Sequence, residues 1–506
     1  MKLFEGEGTM ANRAAKRKIK QQSQRRRKAT NPDILKHVAA LTKNEQYSEL
    51  IEYLNHHQND LDDIAKYHEL MGLTLFRSDR LVESVNHLKL SIQHHANSAR
   101  YSYLANSYHV LGNFDKAIEW HQKAIRLDPK NASLYHNFAF TLEDMQMYEE
   151  AIQSLEIGRQ LDPSQTIFLY QLGRYNLAIG ELEKGSQLID AGLGCNRRTV
   201  PAGIKGSYWR GQDIQGKRIV VWQEEGVGDE VRNACMYKDL LDRGAELVIE
   251  CRARLASVFK RSFPGAIIMP QDEPPSPYLR EPFDYHCGQN TLLQYLRPSL
   301  SHFPASGGFI KPDPDLVDKW RKRLASFPNQ PVVGISWTSG LISRQRAQTL
   351  WPVQVLRDIL RTPGVSFVSL QYSATKEQVE ELNNDLDTNI HFLEDIDLRN
   401  DLENSFALSS CLDYVVSAPT STLILAGAVG TPGLCLYNAR HSTMLGTDHF
   451  PYIPSIEVVR RKHGQSWESK VPELNRRFQD WLAGFRANHA QELAARGQIA
   501  EALAQA

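Results

Sequence analysis

The sequence predicts an α-helical solenoid followed by an α/β half made of two parallel-sheet domains. Three observations carry this expectation. Small side chains recur every 34 residues between positions 98 and 197, and short β-branched runs alternate with helical segments from about 199 onward. A chain of 506 residues also exceeds what one hydrophobic core holds. The expected parts, in order, are a basic tail over 1–30, the solenoid over 31–197, α/β domains over 198–310 and 311–470, and helices over 471–506.

The tail holds ten Lys/Arg against two Glu in a chain that is neutral overall, so the remainder is net acidic. Arg13, Lys16, Arg17, Lys18, Lys20 and the run Arg25, Arg26, Arg27, Lys28 repel one another, and disorder is expected. Two readings of residues 13–28 stand: a solvated segment, or a weak contact with a polyanion such as nucleic acid, a ribosome or an anionic membrane surface. No aromatic residue lies among these cations to stack on bases, which argues against specific single-strand recognition. No apolar stretch follows them as a signal peptide requires, and no run approaches the eighteen apolar residues of a membrane span. Six scattered cysteines without a C-x-x-C pair read as reduced thiols. A cytoplasmic chain is expected.

In the solenoid, Tyr101, Tyr135 and Leu169 share one position, Leu104, Phe138 and Leu172 a second, and Ala105, Ala139 and Gly173 a third. Ala117, Ala151 and Gly185 follow in phase, then Ala124, Gly158 and Gly192, while Pro129 and Pro163 close two of the units. Large residues at i and i+3 beside a small one at i+4 let two antiparallel helices approach closely, and proline ends the second. The pattern resembles the tetratricopeptide repeat. An earlier copy at about 65–97 puts Gly72 and Ser84 in the small slots, and residues 33–64 read as a degenerate capping pair. Stacked units make a superhelix with a groove. One reading gives that groove a protein or peptide partner; the other makes the array a spacer that stabilises or oligomerises the second half.

From about 199 the pattern is strand, helix, strand. Strands are expected at 218–223, 246–250, 266–269 and 284–287, with helices at 230–243, 255–263 and 292–296. After the linker around Pro312 and Pro314, strands are expected at 332–337, 365–371, 390–393, 414–417 and 434–437, with helices at about 352–361, 376–384, 401–410 and 421–429. Two parallel open sheets joined by a short linker are a pair of Rossmann-like domains, with ligands at strand C-terminal ends in the cleft between them. The stretch 471–506 is expected to cross back and brace the first domain, or to end in a stray repeat fragment.

Four strand ends compete for a phosphate. The first, Val220-Val-Trp-Gln-Glu-Glu-Gly-Val-Gly-Asp-Glu230, has a glycine turn opening a helix, but Glu224, Glu225, Asp229 and Glu230 outweigh the half charge of a helix N-terminus. The loop 338–349 is the opposite, with Ser339, Arg344 and Arg346 and no acid, and its arginines suit phosphate oxygens in fork geometry. Thr420, Ser421 and Thr422 sit where a strand passes into a helix with free N–H groups, and Arg440 and His441 follow the last strand. A bound nucleotide's diphosphate therefore belongs on the second α/β domain, unless the hydroxyls only cap their helix. Gly226 and Gly228 then let the acidic turn come close to a ligand, with Glu225 on the acceptor side. Asp229 faces the cleft as a general base for an incoming hydroxyl, or else caps its own helix.

A repeat array joined to two Rossmann-like domains resembles the GT-B glycosyltransferases of the O-GlcNAc-transferase-like and heptosyltransferase-like kind. The resemblance is carried by Gly226-Val-Gly-Asp229, Gly334-Ile-Ser-Trp337, 365–371, Asp413-Tyr-Val-Val-Ser-Ala-Pro-Thr420, Leu425-Ala-Gly-Ala-Val-Gly-Thr-Pro432 and Asp448-His-Phe-Pro-Tyr-Ile-Pro454. It implies metal-independent, inverting transfer from a nucleotide-sugar donor, with no cofactor, and puts Asp229 where such enzymes carry an aspartate as base. Two positions depart from the family. Thr349 stands where Lys or Arg precedes Trp351-Pro352, and Pro419-Thr-Ser421 with Ile424 replaces an Asp-Thr-Gly followed by His. The expected function is a glycosyltransferase whose repeats select a protein or glycan-carrier acceptor. The alternative is a non-catalytic scaffold with a degenerate transferase-like module.

Overall fold

The computed structural model describes residues 32–61, 63–271, 282–304, 308–338, 351–438 and 441–504. The basic tail, Ser339, Arg344, Arg346, Thr349 and Arg440 lie outside the described residues. The chain divides into two compact units, one ending at Pro163 and one beginning at Ser164.

The first unit is four helical hairpins: α1 (Pro32–Lys43) with α2 (Tyr47–His56), α3 (Ile64–Arg77) with α4 (Leu81–His94), α5 (Ser98–Val110) with α6 (Phe114–Leu127), and α7 (Ala132–Asp144) with α8 (Tyr148–Leu161). Each hairpin turns on one residue in the left-handed region: Glu45, Asp79, Gly112 and Gln146, with Gly180 at the equivalent place further on. The 33–64 segment thus shares the repeat's turn although its small-residue code is lost. Ala105, Ala117, Ala124, Ala139 and Ala151 are fully buried where helices meet. Serines in the same slots use the closeness for hydrogen bonds: Ser84 donates to the Gly72 carbonyl at 2.7 Å and Ser91 to that of Ala65 at 2.6 Å.

The second unit opens with a fifth hairpin, α9 (Thr166–Ile179) and α10 (Leu182–Ile189), in phase with the repeat. A Cβ on Gly173 would stand 3.0 Å from the Gly185 carbonyl oxygen, and one on Gly185 2.7 Å from the Leu177 nitrogen, so both positions need glycine for the helices to touch. Its apolar face does not end in solvent. Leu177, Leu182 and Ile189 belong to the same buried cluster as Trp209, Ile219, Val221 and Leu247 of the first sheet.

That sheet has five parallel strands, β1 (Ser207–Tyr208), β2 (Arg218–Trp222), β3 (Glu246–Arg252), β4 (Ile267–Gln271) and β5 (Tyr285–Gly288), in the order β1-β5-β2-β3-β4. Its helices are α11 (Val227–Asn233), α12 (Tyr237–Asp242), α13 (Ala256–Ser262) and α14 (Leu292–Leu296). The single helix expected over 230–243 is two, because Ala234, Cys235 and Met236 form a 3-10 turn buried in the core.

After α15 (Pro314–Ala325) comes a six-stranded parallel sheet, β6 (Val332–Ser336), β7 (Ser366–Ser369), β8 (Ile390–His391), β9 (Tyr414–Ser417), β10 (Gly433–Tyr437) and β11 (Ile456–Arg460), in the order β11-β10-β9-β6-β7-β8. Helices α16 (Arg357–Leu360), α17 (Lys376–Leu386), α18 (Leu402–Ser410) and α19 (Ser421–Ala428) lie between them. Strands β6, β9 and β10 are buried at every residue, which is why they read as unbroken apolar runs. The C-terminal segment is one helix, α20 (Val471–Ala504), and it packs on the second sheet instead of bracing the first. Leu474, Phe478 and Leu482 form its buried stripe, and Trp481 stacks on Tyr414 at 4.1 Å.

Candidate functional site

In each sheet the strand order reverses once, between β2 and β5 in the first and between β6 and β9 in the second. Open α/β sheets bind ligands beyond the strand C-termini at such points, because adjacent loops there diverge to opposite faces and leave a crevice. The residues brought to these two points are Gln223–Gly226 with Gly288–Asn290, and Trp337–Thr338 with Ala418–Ser421.

The acids of the first turn do not stand together as bare charge. Glu224 receives two hydrogen bonds from the buried Arg198 and one from the Asn290 backbone N–H at 2.8 Å. Arg198 also reaches Asp190 and Thr291, so it ties the fifth hairpin to the strand end. Glu230, fully buried, accepts from the Arg252 N–H at 2.9 Å and its guanidinium at 2.7 Å. Asp229 accepts from Arg232 at 2.6 Å. Three of four acids are matched by arginines, and the excess of negative charge counted along the sequence largely disappears. Glu225 is the exception. It opens to solvent yet stands in a crowded recess, and its carboxyl is pushed above the usual range by burial first and by the charge of Asp229 second.

Gly226 is the N-cap of α11, with no side-chain cap bond, and Asp229 lies in the first turn, bonded to Arg232 and not to helix N–H groups. The capping reading of Asp229 therefore fails. Gly228 meets the second lobe: a Cβ there would stand 3.3 Å from the Ser421 Cα and 3.7 Å from Ile424. The close approach that Gly228 serves is thus to the head of α19. Thr420 is the N-cap of α19 but makes no cap bond, and its Oγ1 is buried without a hydrogen-bond partner among the described residues. Ser421 and Thr422 are half-buried beside it. The Trp337 and Thr338 N–H groups both donate to Gln371 Oε1, at 3.0 and 2.9 Å, which fixes where the loop leaves β6.

His441 comes to the same place. Its Nδ1 meets the Thr443 hydroxyl at 2.9 Å and the Thr443 N–H at 3.3 Å. Burial, then the charges of Arg174 and Arg232, press its pKa down to about 4, while Asp229 pulls the other way. His441 thus lies in electrostatic reach of α9, which bears Arg174, and of α11, which bears Asp229 and Arg232. Burial raises the pKa of Tyr170, one turn before Arg174, with Arg174 lowering it and Glu225 raising it in turn. Arg232 lies 5.3 Å over the Tyr452 ring.

The sequence marks His441 only as following the last strand and does not single out Arg174, Arg198, Arg232, Arg252 or Asn290. Only Arg232 carries a local signal, three residues from Asp229 on one helix face. A separate cavity of about 540 Å³, lined by Pro328, Asn329, Gly364, Ser366 and Asn389 among others, lies at the opposite, N-terminal ends of β7 and β8. Its place in the sheet argues against it as the ligand crevice.

The family model described as "TPR repeat" matches residues 105–146. Protein FlbA of Caulobacter vibrioides is 31% identical over 390 residues, covering 74% of this chain and 65% of FlbA. Hsp70-Hsp90 organizing protein 3 of Arabidopsis thaliana is 27% identical over 156 residues, 31% of this chain and 27% of that protein. The chain thus spans just under two thirds of FlbA and about a quarter of the organizing protein. A solved structure of MamA from Desulfovibrio magneticus aligns at 12% identity and a TM-score of 0.29, over 32% of this chain and 93% of that one. The N-terminal part is a tetratricopeptide-repeat solenoid, and it is followed by a region of two parallel sheets. No described helix is long and apolar enough to cross a membrane.

Proposed function

We propose that this chain is a metal-independent, inverting glycosyltransferase of GT-B type that uses a nucleotide-sugar donor, its repeats selecting a protein or glycan-carrier acceptor. In this reading the acceptor oxygen attacks the anomeric carbon from the face opposite the nucleoside diphosphate. The carbon–oxygen bond to the diphosphate breaks, and the hydroxyl proton passes to Asp229. The diphosphate leaves with an added negative charge, stabilised by the head of α19 at Thr420, Ser421 and Thr422 and by the segments bearing Ser339, Arg344, Arg346 and Arg440. Glu225, Gly226 and Gly228 border the acceptor side.

One observation carries the reading: the turn of Asp229 packs against the N-terminus of α19, with Gly228 beside Ser421, which would bring the proposed proton acceptor and the proposed phosphate-holding helix end together. The unpartnered Thr420 hydroxyl at that helix end supports it. Release of nucleoside diphosphate from a panel of nucleotide sugars, with EDTA present, tests it. Turnover that survives chelation is expected, and failure with every donor and every acceptor fraction would remove the proposal.

A second reading, the non-catalytic scaffold, is favoured by Ile424. Where the resembling enzymes carry His, this apolar side chain packs on Gly228. Binding of a nucleotide sugar without any turnover would select it. A weak polyanion contact through residues 13–28 is compatible with both.

A further inference from the structure

We propose that the repeat unit is a pH-sensitive module, in which charging of the His68–His87 pair and of His121 loosens its helical hairpins. The inference is independent of the transferase reading. Ten of the chain's 17 histidines lie in the first unit, and these three occupy slots that neighbouring repeats fill with apolar or aromatic side chains. His68 and His87 stand one repeat before Tyr101 and Trp120. The two pairs pack alike, with ring centroids 5.3 Å apart and tilted by 44° for Tyr101 with Trp120, and 5.1 Å and 51° for His68 with His87. The histidine pair adds a polar contact, Nδ1 to Nδ1 at 3.0 Å. One proton between the two nitrogens makes this a hydrogen bond. When both rings are charged, each Nδ1 carries a proton and the contact becomes repulsive. His94 stacks on His68 with centroids 6.0 Å apart, a third titratable ring at the same place.

His121 is fully buried on α6, and neither ring nitrogen has a hydrogen-bond partner among the described residues. The in-phase positions in the hairpins before and after it are Leu88 and Leu155, both fully buried. A neutral imidazole fits this slot against Phe138, whereas a charged one finds no acceptor there among the described residues. Burial presses its pKa down to about 3, and His109 adds to the effect. His109 belongs to α5 and pairs with Asp144 of α7 at 3.0 Å. At the histidine pair, burial lowers both rings first. His87 and His94 then act on His68, while on His87 the Glu83 carboxylate opposes the shift and Arg80 adds to it. Arg80 and Glu83 pair with each other on α4. From α2, Asn55 accepts from the Tyr67 hydroxyl at 3.0 Å, and from α5, Arg100 donates to Glu69 at 2.8 Å. All three histidines bind a proton less tightly folded than unfolded. Their contribution is therefore fully present above the unfolded value near 6.5 and is lost as pH falls below it. Repeats are held by their nearest neighbours, so a loosened hairpin weakens the packing on each side.

Peptide-resolved hydrogen–deuterium exchange on the full-length chain, with EDTA present, at about pH 7.5 and about pH 5 tests this, with rates corrected for the intrinsic pH dependence. Protection in α3, α4 and α6 is expected to fall by about tenfold or more at the lower pH. His68→Tyr with His87→Trp, the pair of the next repeat, is expected to remove the fall in α3 and α4, and His121→Leu that in α6. His68→Gln with His87→Gln, which keeps polar side chains that do not titrate, replaces the aromatic pair if that variant does not fold. Unchanged protection in the wild type overturns the module, as does a wild-type response in both sets of variants. Loss of the response in one set only keeps that site and overturns the other.

Discussion

The two strand-end turns that meet in the crevice solve opposite problems. The turn after β2 is crowded with acids, and the fold sends it Arg198, Arg232 and Arg252 from three different segments. The head of α19 is uncharged, and among the described residues Thr420 Oγ1 has no hydrogen-bond partner. The first turn is therefore finished by the protein itself, whereas the second keeps an unfilled hydroxyl among the described residues. The difference teaches that charge counted along a chain says little about charge in a site until the partners are known.

The largest expected effect is on the finished side. Arg198 and Glu224 are both buried, with side chains 1% and 3% exposed, so Arg198→Ala strands a carboxylate. A loss of about 3–5 kcal/mol in unfolding stability is expected by denaturant titration. A loss under about 1 kcal/mol would mean that the turn does not depend on its arginine.

Glu250 sharpens the comparison, because it is an acid of the same lobe that no arginine meets. It is fully buried on β3, no side chain among the described residues hydrogen-bonds either oxygen, and burial raises its pKa to about 7 against the Gln223 backbone N–H. The folded chain then holds this proton more tightly than the unfolded one. Its contribution is fully present below the unfolded value near 4.5 and lost as pH rises through about 7. Glu250→Gln is expected to be more stable than wild type at pH 8, by about 3 kcal/mol at most, and equal to it near pH 4. Parallel pH profiles for the two proteins would remove the effect.

The smallest effect belongs to the unfinished side. Thr420→Val keeps the shape at an extended φ of −118° and deletes a hydroxyl that has no hydrogen-bond partner among the described residues. Stability is expected to change by under about 1 kcal/mol, in either direction, while affinity for a phosphate ligand falls. A large loss of stability without ligand would show that the hydroxyl is structural.

These contrasts also mark what the sequence could carry. The hairpins were legible because close helix approach admits only small side chains, and Gly173 with Gly185 and the buried alanines enforce that locally. The central strands were legible because both faces are buried. Strands β1 and β11 were not: both are edge strands, and β1 has two residues and pairs with β5 far along the chain. Nothing local says that Leu177, Leu182 and Ile189 enter the core of the first sheet, or that Arg198 reaches Glu224. At the crevice, Asp229 and the Thr420–Thr422 helix head stood out through turn chemistry. Arg174 and His441 meet their neighbours only through the tertiary packing of α9 on the turn after β10.

The account's central claim is that Asp229 receives a proton in a crevice whose opposite side binds the donor. The most direct measurement is donor turnover by Asp229→Asn, with Tm and donor affinity determined in parallel. The account predicts a fall in kcat of about 10²–10⁴-fold with both other quantities unchanged. Turnover at the wild-type rate in Asp229→Asn would contradict it.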